Sequence, residues 1–95
     1  MVSNYDIIYI MSAKHRRTLQ AIFDTPTRGG IIWDDIEKML KSHGAEISEG
    51  NGSRVRIALN GCRAVFHRPH PEKETDKGAV GSMRRFLQGA GITPS

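Results

Sequence analysis

Asn60-Gly61 separates two runs of alternating polarity, and this constrains the fold more than any other feature of the chain. A tight hairpin turn needs positive φ at both loop residues, which Asn-Gly tolerates better than most pairs. Arg54 to Leu59 and Cys62 to about Arg68 are therefore expected to be adjacent antiparallel strands. So short a loop also fixes the register, because a slip of one residue would turn every side chain to the other face. Leu59 then faces Cys62, Ile57 faces Ala64 and Val55 faces Phe66, which makes one face apolar. The other face pairs Ala58 with Arg63, Arg56 with Val65 and Arg54 with His67, and is cationic.

A half-apolar hairpin needs something to pack against, and the flanking sequence supplies it. Ser12 can cap a helix over about Ala13 to Asp24 with Leu19, Ile22 and Phe23 on one side. Thr25-Pro26 ends it, since a residue before proline disfavours helical backbone. A second helix is expected from Trp33 or Asp34 to Ser42, with Ile36, Met39, Leu40 and His43 as its apolar stripe. Its acids lie in the first turn and its lysines later, as the helix dipole favours, and Gly44 stops it. A short strand, about Ala45 to Glu49, precedes the turn at Gly50-Asn51-Gly52.

After the hairpin, Pro69-His70-Pro71 breaks the strand and Glu72 to Lys77 reads as a charged loop. Thr75 or Asp76 can cap a last helix, about Lys77 to Gln88. Val80, Met83, Phe86 and Leu87 form its buried stripe, and Arg84 and Arg85 are expected to point to solvent. The order is helix, helix, strand, strand, strand, helix. The fold class is α+β, with a three-stranded antiparallel sheet packed on helices. The last five elements follow the order of a double-stranded-RNA-binding domain. Residues 1–11 are expected to be a flexible N-terminal tail and 12–95 a single domain, with Met1 or Met11 as the start.

Composition narrows the function. A chain of 95 residues can bury one core, and 14 Lys plus Arg against 10 Asp plus Glu leave it basic. A basic surface gains from counterion release on a phosphate backbone. The single cysteine, Cys62, allows no internal disulfide and fits a reducing, cytoplasmic setting. None of the four histidines shows zinc-ligand spacing on one helix face, and no cofactor or metal is expected. The apolar run Ile7-Ile8-Tyr9-Ile10 is far too short to span a bilayer, so no membrane partner is expected.

Three stretches resemble the HicA toxins of bacterial toxin–antitoxin pairs, over about Ile32 to Ile92. They are the helix end Leu40-Lys41-Ser42-His43-Gly44, the turn Gly52-Ser53 entering a strand, and His70-Pro71-Glu72-Lys73-Glu74 leading through Gly78 to Arg84-Arg85-Phe86-Leu87-Gln88-Gly89-Ala90-Gly91-Ile92. The resemblance implies an endoribonuclease acting on mRNA and neutralised by a HicB antitoxin. In that family the histidine after glycine-serine is the catalytic residue. This chain has Arg54 there. A second reading follows from the substitution: a module that binds RNA or antitoxin and no longer cuts.

Metal-independent RNA cleavage needs a base for the 2′-hydroxyl, an acid for the leaving oxygen and a cation for the phosphorane charge. Histidine suits the first two and arginine the third. The register sets His67 beside Arg54, so His67 is a candidate base or acid, with Arg54 and Arg56 holding phosphate. His67 also reads as an ordinary exposed strand residue, and both readings stand. His70 is either a site residue or part of a rigid Pro-His-Pro connector. Arg54, Arg56 and Arg63 form the expected RNA-binding surface, bordered by Arg68, Arg84 and Arg85. Trp33 and Phe66 read as core, which disfavours base stacking. Ser53 reads as a turn residue and Cys62 as inward-facing. His15 and His43 read as structural, each near an apolar helix face.

Overall fold

A computed structural model describes residues 13–94. The expected cap at Ser12 and the expected tail over 1–11 lie outside the described residues. A first helix, α1, occupies 13–22. Its last backbone bonds tighten, with the Phe23 and Asp24 N–H groups reaching the Gln20 and Ala21 carbonyls at 3.0 and 3.3 Å. The helix is therefore already closing before Thr25-Pro26. Then come β1 (Ile31–Ile32), α2 (Trp33–Ser42), β2 (Glu46–Glu49), β3 (Arg54–Leu59), β4 (Cys62–His67), β5 (Glu74–Thr75) and α3 (Lys77–Gly89).

The α+β class is as expected. Strands β2, β3 and β4 form a three-stranded antiparallel sheet in that order, packed against the helices. The hairpin register is the one the two-residue turn dictates, from Leu59↔Cys62 through Arg54↔His67. Asn60 and Gly61 sit at φ 51° and 81°, the left-handed pair that such a turn requires.

One segment differs from expectation. Glu72 to Lys77 is not wholly loop, because Glu74–Thr75 pairs with Ile31–Ile32 as a second, two-stranded antiparallel sheet. The Gly30 N–H donates to the Thr75 carbonyl at 2.8 Å and the Trp33 N–H to the Lys73 carbonyl at 3.0 Å. Strands of two residues have no periodicity to read, and this pairing joins segments far apart in sequence.

The core lies between the helices and the inner sheet face. Ile22 of α1, Ile36, Met39 and Leu40 of α2, Val55 and Ile57 of β3, and Val80, Met83 and Leu87 of α3 are essentially inaccessible to solvent. Trp33 and Phe66 join them, with ring centroids 5.9 Å apart, and the edge of Phe66 meets Phe86 at 6.3 Å. Asp76 caps α3, its Oδ1 accepting from the Ala79 N–H at 2.8 Å. The Asn60 side chain donates to the Ala90 carbonyl at 2.9 Å, fastening the hairpin turn to the end of α3. His43 departs from the expected apolar stripe: it is the exposed C-cap of α2.

Candidate nucleic-acid interface

The outer face of the sheet is set by parity. With Leu59 and Cys62 closing a two-residue turn, every second pair along the hairpin is of the non-hydrogen-bonded kind, whose side chains approach more closely. Those pairs are Ala58↔Arg63, Arg56↔Val65 and Arg54↔His67. The next pair continues the ladder, since the Arg68 N–H donates to the Ser53 carbonyl at 2.9 Å. Arg54 and His67 therefore stand as close cross-strand neighbours, both exposed. Strand β2 adds Glu46 beside Ala58 and Ser48 beside Arg56. An open depression runs between Ser48, Arg56, Arg63 and Val65, and Val65 is 57% exposed at its middle.

The turn before β3 holds Arg54 closely. The Gly50 N–H donates to the Arg54 carbonyl at 2.9 Å, and the Arg54 N–H donates to the Asn51 carbonyl at 3.2 Å. A β-carbon at position 50 would stand 3.1 Å from that of Arg54, so only glycine leaves the strand start undisturbed.

The expected arginines divide into two groups. Arg54 and Arg63 engage no carboxylate among the described residues, and the Arg56 guanidinium donates only to the Glu49 carbonyl, at 3.2 Å. Arg85 is exposed and donates to the Ser82 hydroxyl at 3.2 Å. Arg68 lies on the inner side with Phe66. Its Nε and Nη2 donate to the two oxygens of Glu37 at 2.7 and 3.3 Å, and its Nη1 donates to Glu49 at 2.6 Å. Glu37 is buried and also accepts from the Trp33 indole. Hydrogen bonds to Glu37 and Glu49 push Arg68 above the ordinary arginine value, and the Arg68 guanidinium holds Glu49 below the ordinary carboxylate one. Arg84 does not point to solvent as expected. Its Nε and Nη2 donate to the Ile22 and Asp24 carbonyls at 3.0 and 2.6 Å, and it lies over the Phe23 ring at 5.9 Å. It satisfies the open C-terminus of α1.

His70 is exposed between its prolines, beyond the end of β4. Ser53 is exposed in the turn, and the half-buried Cys62 thiol donates to the Gly89 carbonyl at 3.3 Å. Among the described residues no group of three or more His, Cys, Asp or Glu could hold a metal ion, and no helix is long and apolar enough to cross a membrane.

A family model, described as the HicA toxin of bacterial toxin–antitoxin, matches residues 33–92, most of the chain. The chain belongs to the HicA toxin family. It is thus a toxin of a toxin–antitoxin system, with a cognate antitoxin as partner. No curated protein and no solved structure matches it. The HicA match begins at Trp33, so α1 and β1 stand outside the family core.

Two residues of this HicA chain carry weight that its sequence did not announce. Glu37 and Glu49 neutralise Arg68 and remove it from the free cationic surface. The one available signal was that Glu37 follows Trp33 by one helical turn on an otherwise apolar face, and a buried acid needs a basic partner. Nothing in the sequence says that this partner is Arg68.

Proposed function

We propose that this toxin acts on RNA, binding mRNA along the outer sheet face and cutting it without a metal at the Arg54–His67 pair. The cross-strand register that sets an exposed histidine beside an exposed, uncompensated arginine carries the reading. His67 accepts the 2′-hydroxyl proton, and the resulting oxyanion attacks phosphorus. Arg54 and Arg56 hold the charge that gathers on the phosphorane oxygens, and the 5′ oxygen leaves with a proton from water or from His70. Arg63 and Arg85 extend the phosphate-binding surface. The scarcity of exposed aromatic rings among the described residues favours backbone recognition over base stacking. A HicB-like antitoxin, acidic where it meets this face, would block it in the cytoplasm, where mRNA is found.

The deciding experiment is cleavage of a long mRNA in excess chelator by the wild type, His67→Ala and His70→Ala. Loss of cutting in His67→Ala with RNA binding retained supports the assignment. A second reading rests on Arg54, which occupies the position after glycine-serine where the resembled family has its histidine. On that reading the face binds RNA and does not cut. Intact RNA at wild-type concentrations that shift it on a gel would establish that reading.

A further inference from the structure

A second cationic surface lies away from the sheet. It is a groove between α1, the end of α2 and the C-terminal tail. Its basic lining comes from His15, Arg16 and Arg17 of α1 and His43 of α2. Its apolar lining comes from Ala13, Leu19 and Pro94. None of the described lining residues is an Asp or Glu. Lys14, on the same helix, is held 3.7 Å from Asp35, whereas the exposed Arg17 meets no carboxylate among the described residues.

The groove and the candidate cleavage site lie toward opposite ends of the sheet, since β2 follows His43 and enters opposite Ala58, while Arg54 and His67 pair at the other end of β3. Glu37, midway along α2, binds Arg68 beside the Arg54–His67 end, and α2 finishes at Ser42 and His43 in the groove. The helix rises about 7.5 Å from Glu37 to Ser42. At the hairpin end, Asn60 fastens the C-terminus of α3, from which Thr93 and Pro94 continue into the groove. A partner covering the outer sheet face could reach the groove with a short extended segment, at about 3.3 Å per residue.

The groove is mostly an addition to the family core. Of its three parts, α1 and the tail beyond residue 92 lie outside the family match, and only Ser42 and His43 lie within it. Its occupant is therefore expected to be particular to this toxin. The lining points to a peptide. Leu19 is already buried in the core, but the half-buried Ala13 and Pro94 give a phosphate nothing and can cover an apolar side chain, while the basic residues around them suit carboxylates. We propose that this groove is a second docking site for the cognate antitoxin, taking an acidic segment that carries one or two apolar side chains.

The effect of such a site is avidity. An antitoxin held in the groove keeps its blocking surface at high local concentration over the sheet face. The inference requires an antitoxin, which family membership supplies, and is independent of whether the sheet face cuts RNA.

The test is an amide-shift titration of the full-length chain with a short synthetic peptide of alternating glutamate and leucine, and separately with an oligouridylate. The expected result is peptide-induced shifts at Leu19, His43 and Thr93, with RNA-induced shifts at Arg56 and Arg63. Arg17→Glu, at an exposed position, should weaken the peptide about tenfold and leave the RNA titration unchanged. Peptide shifts confined to the sheet face would overturn the proposal, as would no groove shifts at saturating peptide. RNA shifts centred on the groove would make it a nucleic-acid site instead. Concentration-dependent groove shifts without peptide would assign it to a second copy of the chain. RNA that shifts neither surface would count against the RNA reading alone.

Discussion

Arg54 and Arg68 lie at the same end of one hairpin, and their surroundings are opposite. Arg54 stands on the outer face beside His67 with no carboxylate partner among the described residues, while Arg68 is turned inward and clamped by Glu37 and Glu49. Arg84 repeats the inward case on α3, where it caps α1 through the Ile22 and Asp24 carbonyls. Residue type does not separate these arginines, but strand parity and helix face do. A cation on the inner side must find partners there because an unpaired buried charge is costly, whereas one on the outer side keeps its water.

The contrast can be broken most severely at Arg68. Arg68→Ala leaves the Glu37 carboxylate buried beside Trp33 without its cation, and should destabilise the fold by about 3 to 5 kcal/mol, measured by urea denaturation. Arg84→Ala comes next. Losing two charge-assisted bonds to the end of α1 should cost about 1 to 3 kcal/mol, and hydrogen exchange should rise first in α1.

Glu49 gives a smaller, pH-dependent effect. Arg68 holds its carboxyl below the ordinary value of 4.5, so the stability it contributes is complete above that value and is lost as pH falls through the lower folded value. Wild-type and Glu49→Gln stabilities should therefore differ slightly at neutral pH and converge in acid. Curves that stay parallel from neutral to acid pH would mean the Arg68–Glu49 bond is idle. The outer face should show the least stability change. The double variant Arg56→Ala/Arg63→Ala should stay within about 0.5 kcal/mol of wild type. Its RNA affinity should fall, and on a single strand the salt slope should shrink by about 0.7 for each phosphate that is no longer neutralised. Destabilisation as large as that of Arg68→Ala would erase the distinction between the two faces.

The hairpin, its register and the identity of the outward residues were readable because the loop length and the alternation are local. The α3 stripe, the α2 stripe apart from its misplaced last member His43, and a cap at Thr75 or Asp76 were readable for the same reason. What escaped was long-range. The pairing of Ile31–Ile32 with Glu74–Thr75 joins segments too short to carry a pattern. The inward turn of Arg84 depends on where α1 ends, and the capture of Arg68 depends on an acid one helix away. In the candidate site, the positions of Arg54, Arg56, Arg63 and His67 came from sequence. The exclusion of Arg68 and Arg84 from its free charge came only from packing.

The two-residue turn at Asn60-Gly61 also limits how this gene can vary. Codon changes on the outer strand positions can retune charge one residue at a time. A single-codon insertion or deletion within β3 or β4 cannot unless a bulge absorbs it, because from that point on the strand would exchange its outward and inward residues, sending His67 toward the core and Phe66 to water. Length changes within the strands are expected to survive in pairs or as a bulge, so among working descendants whose hairpin keeps a two-residue turn and no bulge the distance from Arg54 to His67 should keep its parity even where neither residue is kept.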